Sequence, residues 1–356
     1  MLGQSDIHRI VRLAGRDRIM DEMVERLHAA FVAAAAGKTS TPARQGFLTG
    51  SHRTGVLEWM PHHDPGTAVT IKTVSYAPEN PGLFGLPTIL GSIARFDDET
   101  GHMLALSDGV LPTAIRTGAA SAVATRLLAH PESRVVGLIG AGAQAVTQLH
   151  GLSRVLPVEE VLVYDISAGH AASFRQRAEF LGLDVRVVSL EEVETRADVI
   201  CTATSVDVGC GPVLTGMGLK PHVHINAVGA DLPGKIEVPL AVLKDAFVCT
   251  DHLEQAQREG ECQQLSLEDI GGTLTELCSD PSKATGARTF RSVFDSTGFA
   301  LEDHVAFDVF YEFAQHFDVG QRIHLESVPA DALDPYGDAA QELAAAAAPI
   351  GLPTAR

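Results

Sequence analysis

No stretch of this chain approaches the roughly 18 consecutive apolar residues that a membrane span requires, so no membrane partner is expected. The N-terminal MLGQSDIHRIVRLAGRDRIMDEMVERL mixes charge throughout. It lacks the apolar stretch and small-residue cleavage site of a signal peptide, and reads as an amphipathic helix of a cytoplasmic protein. Cysteine is sparse and odd in number: Cys201, Cys210, Cys249, Cys262 and Cys278, without a C-x-x-C pair. That argues against a disulfide framework or a zinc ribbon and for reduced thiols. Positive charge is short as well, 27 Lys and Arg against 45 Asp and Glu, for a net charge of −18. Such a surface disfavours nucleic acid as a partner and attracts a cationic substrate. What is present is ordinary globular material, 45% hydrophobic and 20% charged, and 356 residues suit two domains.

The grammar changes near residue 117. Upstream, TAVTIKTVSY and TILGSIARF alternate and are rich in β-branched residues, with the turn-rich APENPGLFGLP between them. Downstream, short apolar runs alternate with helical patterns. VVGLIGAG, EEVLVYDIS, DVRVVS, DVICTAT, HVHINAVG, AFVCTD and SVFDSTG read as strands, AQAVTQLHGLSRVL and AGHAASFRQRAEFLG as helices. This rhythm predicts an α/β protein with a parallel sheet covered on both faces. VAFDVFYEFAQHF is a further amphipathic helix, expected to pack back on the first domain. The alanine-rich end, 339–356, is expected to be a flexible tail.

Within the second region, Gly140-Ala141-Gly142-Ala143-Gln144-Ala145 is a G-x-G-x-x-A turn between a predicted strand and a predicted helix. Gly140 permits the tight turn, Gly142 lets backbone approach a pyrophosphate, and Ala145 allows close helix–strand packing. Asp165 closes the next strand 23 residues after Gly142, near the spacing of about 20 at which an acid takes a ribose 2′-hydroxyl. An acid there repels a 2′-phosphate, so the expected cofactor is NAD. Further contacts belong at the carboxyl ends of later strands: Thr204, Asn226 and Val228 through Asp231, and Ser296-Thr297. Asp231 therefore lies at the crevice by topology, with Lys235 four residues on; a helix N-cap or solvated acid is the alternative.

The first region offers cations. Alternation puts Thr70, Lys72, Val74 and Tyr76 on one face. Lys72 is then either an edge-strand gatekeeper, the commoner use, or a charge aimed into a site. Arg44 and Arg116 fall in loop-like stretches, with Thr117 a candidate N-cap of the helix that follows. Glu58 reads as an exposed strand acid. His62, His63 and Asp64 are adjacent, but without further ligands at fixed offsets no metal site is expected.

RTGAASAVATRLLA, GLIGAGAQAVTQL, NAVGADLPGKIE and the upstream EWMP…IKTVSYAPENPGLFGLPTILG, in that company, resemble the ornithine cyclodeaminase/μ-crystallin family over roughly residues 5–338. The wording of GVLEWMPHHDPG and SYAPENPGLFGLPTILG is nearest to the family's lysine-cyclising branch in actinobacterial secondary metabolism. The resemblance implies a Rossmann NAD domain, 117–299, and a mixed α+β domain for substrate and homodimerisation, 1–116 with 300–338. It implies Arg44, Lys72 and Arg116 as holders of an amino-acid carboxylate, Arg116 also near the cofactor. Glu58 is implied beside the substrate's amines, Thr297 as a substrate contact and Asp231 as the catalytic acid/base. Thr88, Ala143, Gln144, Asp165, Thr204, Lys235 and Ser296 are implied as dinucleotide contacts.

The implied reaction is cyclodeamination of a basic L-amino acid, lysine to pipecolate or ornithine to proline. Hydride leaves Cα for NAD⁺, the ω-amine attacks the resulting imine intramolecularly, ammonia departs, and the same NADH returns the hydride. An amine near lysine's reference pKa of about 10.4 is ammonium at neutral pH, so a proton-handling carboxylate is required, and Asp231 fits that need. Two other outcomes stay open: a ketimine reductase or amino-acid dehydrogenase, and a non-catalytic binding protein on the same fold. One methylene is worth only about 1–3 kcal/mol, so lysine and ornithine are not separable from sequence.

Overall fold

The computed structural model describes residues 1–50, 53–326, 329 and 331–336; the tail expected at 339–356 lies outside them. Residues 2–320 form one compact unit. The other unit is Met1 with the chain from 321 on, and it contains no helix among its described residues.

The N-terminal segment is two helices where one was expected, α1 (Gln4–Ala14) and α2 (Arg16–Ala34). Gly15 between them has φ +89°, a left-handed conformation that ends the first helix. Ile7 and Ile10 of α1, and Ile19, Met20, Met23, Leu27 and Phe31 of α2, are buried in a core shared with later helices.

An antiparallel sheet follows, β1 (Gln45–Thr49), β2 (Gly55–Asp64), β3 (Ala68–Tyr76), β4 (Ile89–Asp97) and β5 (Met103–Asp108), in that spatial order. The short α3 (Asn80–Leu83) lies between β3 and β4. Since β3 is central, Lys72 is no edge gatekeeper; it is 1% exposed. Pairing sets Met60, Lys72 and Ile93 in one cross-strand row, His62, Thr70 and Arg95 in the next, and Glu58 beside Val74. Alternation along β2 and β3 puts these rows on one face.

The chain then enters α4 (Val110–Leu128). Thr117 is not its N-cap: the helix starts after Gly109, and the Thr117 hydroxyl donates back to the Thr113 carbonyl. The boundary drawn between 116 and 117 thus falls inside a helix. Beyond it come β6 (Val135–Ile139), α5 (Ala143–Val155), β7 (Glu160–Tyr164), α6 (Ala168–Arg177), β8 (Asp184–Val187), α7 (Leu190–Arg196), β9 (Val199–Thr202) and β10 (His224–Ala227). α8 (Leu240–Lys244), β11 (Phe247–Thr250), α9 (Leu253–Glu259), β12 (Ile270–Thr273), α10 (Leu274–Ser279), β13 (Ser292–Asp295) and α11 (Ala300–Phe317) complete the series. The eight strands form a parallel sheet in the order β12-β11-β13-β10-β9-β6-β7-β8. Sequence reading finds all of them except β12, whose Ile-Gly-Gly-Thr carries little strand signal. From β6 the chain runs outward through β7 and β8, then returns to β9 on the other side, so a crevice opens between β6 and β9 at their carboxyl ends.

Two glycines draw α4 against α5. A Cβ on Gly118 would lie 2.2 Å from the Thr147 carbonyl oxygen, and one on Gly151 would lie 2.3 Å from that of Gly118.

Helix α11 closes on the antiparallel sheet through buried polar groups. His304 Nδ1 bonds the Thr70 hydroxyl at 2.9 Å, its ring lies 4.6 Å from that of His62, and Arg95 reaches Asp308 at 2.6 Å. Burial pushes His62 down to about 4 and His304 to about 2, from 6.5. A histidine whose folded pKa is depressed stabilises fully above its unfolded value and loses that contribution as pH falls, because the unfolded chain takes protons first. His304→Gln is therefore expected to flatten the decline of urea-measured stability from pH 6.5 to 4.5 by about 1.4 kcal/mol per pH unit relative to wild type. An unchanged slope would count against a neutral His304.

Candidate active site

The glycine turn closes the first strand of the parallel sheet. Gly140 has φ +91°, and a Cβ there would meet the Ala203 carbonyl oxygen at 2.6 Å, so no other residue fits without displacing β9's continuation. At Gly142 an added Cβ meets nothing within 4 Å. Backbone is therefore open to a ligand at the N-terminus of α5, with Ala143 exposed and Gln144 half-buried beside it. Gln144 is tied to the Ala114 carbonyl and to Thr147. Asp165 reaches back from β7: Oδ2 accepts the Ala141 N–H and Oδ1 the Ser167 N–H, both at 2.7 Å. Open backbone at a helix start suits an anionic phosphate, and Asp165 lies at the end of the neighbouring strand, bonded to the turn itself.

The other strand ends are fastened from within by acids that sequence reading misses. Glu237, fully buried, accepts the Thr202 hydroxyl at 2.6 Å, the Thr204 N–H and hydroxyl at 2.8 and 2.6 Å, and the Gly229 N–H at 2.8 Å. Asp251 accepts from Ser296 Oγ at 3.1 Å, Thr297 Oγ1 at 3.2 Å and the Gly298 N–H at 2.6 Å. The hydroxyls of Thr204, Ser296 and Thr297 are thus engaged internally. Asn226 is buried, giving its amide to Thr125 at 2.9 Å and taking His224 on its oxygen. Val228 is held by its N–H to the Thr202 carbonyl.

Asp231 follows β10 on a loop whose Leu232 packs with Val56, Tyr76 and Ile89 of the antiparallel sheet. Thr88, just ahead of β4, is half-buried and closes onto the Ala77 N–H through its carbonyl. Lys235 is buried, donates to Asp231 Oδ1 at 2.8 Å and lies 4.6 Å over the Tyr76 ring. Burial pulls Lys235 down, but Asp231 and Tyr76 outweigh it and hold its pKa above the usual value. The Asp231 side chain keeps 26% of its surface exposed, against 2% for Lys235.

Arg44, directly before β1, joins this group. Its Nε meets Glu259 at 2.6 Å and Glu58 at 3.4 Å, Nη1 donates to the Thr297 carbonyl and Nη2 to the Asp231 carbonyl, each at 3.1 Å. Glu58 is buried, not an exposed strand acid, and burial raises its carboxyl against the pull of Arg44. Gly46 makes the space, for a Cβ there would lie 2.6 Å from Glu58 Cγ. Gln255 on α9 braces both sides, accepting the Arg44 N–H and donating to Thr297.

A second cluster adjoins it. Lys72 Nζ donates to Asp303 Oδ1 at 2.9 Å; Arg116 Nε donates to the same oxygen at 3.1 Å and Nη1 to Glu302. Burial pushes Lys72 down to about 8 despite Asp303, whereas the acids raise Arg116 in spite of its burial. Glu302 and Asp303 escape sequence reading because α11 begins at Ala300, five residues before the helix predicted from its apolar run. An acid pair ahead of an apolar helix, directly after a strand tip, is the signal that was available.

The Arg116 guanidinium lies on Gly298, where φ is +73° and a Cβ would fall 2.3 Å from Nη1. Gly298→Ala is expected to cost about 1–2 kcal/mol in backbone strain and to dislodge Arg116. Binding of a small carboxylate such as cyclohexanecarboxylate, followed by calorimetry, should weaken several-fold. Wild-type affinity would show the guanidinium to be dispensable in that position.

His62 and His63 do not converge. His62 bonds Thr41 at 2.7 Å and His63 bonds Asp98 at 2.7 Å. Among the described residues no group of three or more His, Cys, Asp or Glu is arranged to hold a metal.

The sequence pattern of the ornithine cyclodeaminase/mu-crystallin family matches residues 5–317. An L-lysine cyclodeaminase of Streptomyces rapamycinicus is 50% identical over 94% of this chain and 98% of its own length. The solved structure of a lysine cyclodeaminase, studied for recognition of L-lysine, L-ornithine and L-2,4-diaminobutyric acid, superposes with a TM-score of 0.93 at 53% identity, covering 94% of this chain and 98% of that one. An archaeal alanine dehydrogenase dimer with bound NAD superposes at 0.81 with 34% identity, over 91% and 98%. With a family pattern running through both sheets and the helices between them, this chain belongs to the ornithine cyclodeaminase/mu-crystallin family.

Proposed function

We propose that this chain is an NAD-dependent cyclodeaminase, an ammonia-lyase that converts L-lysine to L-pipecolate and accepts L-ornithine, giving L-proline. The observation that carries the reading is two neighbouring charge clusters, one built on Lys72 and Arg116 and the other on Arg44, Glu58 and the Asp231 loop. Lys72 and Arg116, braced by Asp303, offer cations to a carboxylate, while Glu58 and the partly exposed Asp231 offer acids to amines. Bound NAD supplies reversible hydride acceptance at Cα. Arg116, Lys72 and Arg44 orient the substrate by its carboxylate. Asp231 takes the proton that frees the ω-amine for attack on the imine carbon and redelivers it as ammonia departs, with Lys235 holding the carboxylate in place. Burial of the surrounding side chains excludes water that would hydrolyse the imine.

Residues 1–116 with 300–338 serve substrate and dimer in this reading, and 117–299 serve NAD. The exposed Phe47, Leu48 and Trp59 on β1 and β2 are apolar surface of the kind a homodimer covers. The five cysteines are unpaired, in keeping with a cytoplasmic setting.

The test incubates purified protein with L-lysine or L-ornithine and catalytic NAD⁺. Loss of one ammonia from the amino acid, without NADH accumulating, is expected. The likeness to an alanine dehydrogenase supports a second reading, simple dehydrogenation. Stoichiometric NADH, with no cyclic product, would establish it and remove the first.

A further inference from the structure

Four ionisable groups meet at the base of α11. Arg116 and Lys72 both donate to Oδ1 of Asp303, and Arg116 also donates to Glu302. All four are almost fully buried. With each ionised the quartet is neutral. A substrate carboxylate held by Lys72 and Arg116 adds one negative charge, and Asp251 stands nearby as a further acid. Charge left unbalanced in a dry interior is neutralised by protonation where a group can take it up.

The contacts single out which acid yields. Asp303 Oδ1 serves two cations, whereas Glu302 serves Arg116 alone; each acid has one buried oxygen, Asp303 Oδ2 and Glu302 Oε1, without a hydrogen-bond partner among the described residues. The carboxylate with one cation rather than two is the costlier to keep ionised in a dry interior. We propose that Glu302 is the proton-linked partner of the substrate's carboxylate: the amino acid binds the site with Glu302 protonated, and Asp303 alone remains as the anion behind the clamp. This rests on the reading of Lys72 and Arg116 as carboxylate holders.

The groups facing Glu302 are Arg116 on α4, Asp303 beside it on α11, and Asp251 after β11, with Lys72 on β3 reached through Asp303. Burial pushes Glu302 up to about 8, the pull of Arg116 notwithstanding. The site is therefore ready below that pH and must recruit a proton above it. Lys72, itself lowered to about 8 by burial, is the competing proton acceptor.

The experiment titrates NAD-loaded enzyme with cyclohexanecarboxylate, a ring carboxylate with no amine to titrate, by calorimetry in buffers of different ionisation enthalpy. Near pH 9 uptake approaching one proton per carboxylate is expected, with affinity falling about tenfold per pH unit above pH 8, as linkage to one proton requires. Glu302→Gln should abolish the uptake. Lys72→Arg, which cannot titrate in this range, should retain it, and it guards against a Gln variant that fails to fold. Uptake absent in wild type, persisting in Glu302→Gln, or lost in Lys72→Arg overturns the proposal. L-pipecolate is the second probe, and failure of both ligands to bind overturns it too. Cyclodeamination without proton linkage sinks this inference alone, whereas proton-linked carboxylate binding without ammonia release sinks the proposed reaction alone.

Discussion

Asp231→Asn is expected to lower cyclodeamination of L-lysine by about 10²–10⁴-fold, the usual worth of a positioned acid/base, while NADH still binds. Asparagine keeps an acceptor for Lys235 beside the Tyr76 ring, so the fold should lose no more than about 1–2 kcal/mol. An alanine there would confuse the result by taking the carboxylate away from a buried lysine. Ammonia release and NADH fluorescence, measured on the same preparation, separate chemistry from cofactor binding. Turnover within a few-fold of wild type would take the proton-handling role away from Asp231 and leave it as a tether for Lys235.

Arg116→Met should be the most damaging single change to the fold among the site residues. It leaves Glu302 without its cation and Asp303 with Lys72 alone. Removing one partner of a buried ion pair costs about 3–5 kcal/mol. The loss should deepen with alkalinity. Glu302 already has a raised folded pKa, so the folded state binds more protons than the unfolded one as pH climbs from its ordinary 4.5 toward about 8, and stability falls across that window. Without Arg116 the window widens upward. Thermal melts at pH 5 and pH 8 report the difference, and kcat/KM for the amino acid should fall by about 10²–10³-fold. A variant as stable as wild type at pH 8 would mean that the acids find another counter-ion.

The parts of this architecture that sequence makes legible are local. Short apolar runs with small residues at their ends give seven of the eight parallel strands, and the glycine spacing gives the turn between β6 and α5 to which Asp165 is bonded. Alternation in β3 correctly groups Thr70, Lys72, Val74 and Tyr76, but it cannot tell an edge from a centre, and the centre is what buries Lys72. Glu58 looks like a surface acid until Arg44 and Gly46 are seen to make a cavity for it. Besides the early start of α11, distance along the chain hides the acids that hold the site together. Glu259 meets Arg44 across 215 positions, Asp303 meets Lys72 across 231, and no periodicity records such pairings. Resemblance to a family supplies the cations and Asp231; only coordinates supply their counter-ions.

The near-contact of Gly118 with Thr147, and of Gly151 with Gly118, bears on how this protein would evolve. The helix that carries Arg116 and the helix that starts at the glycine turn are welded along their backbones, so on the proposed reading the carboxylate's holder cannot drift without dragging the glycine turn along. On the same reading, a lineage adapting to a longer or shorter diamino acid would have to change residues outside the welded pair, among them Glu58 and the Asp231 loop.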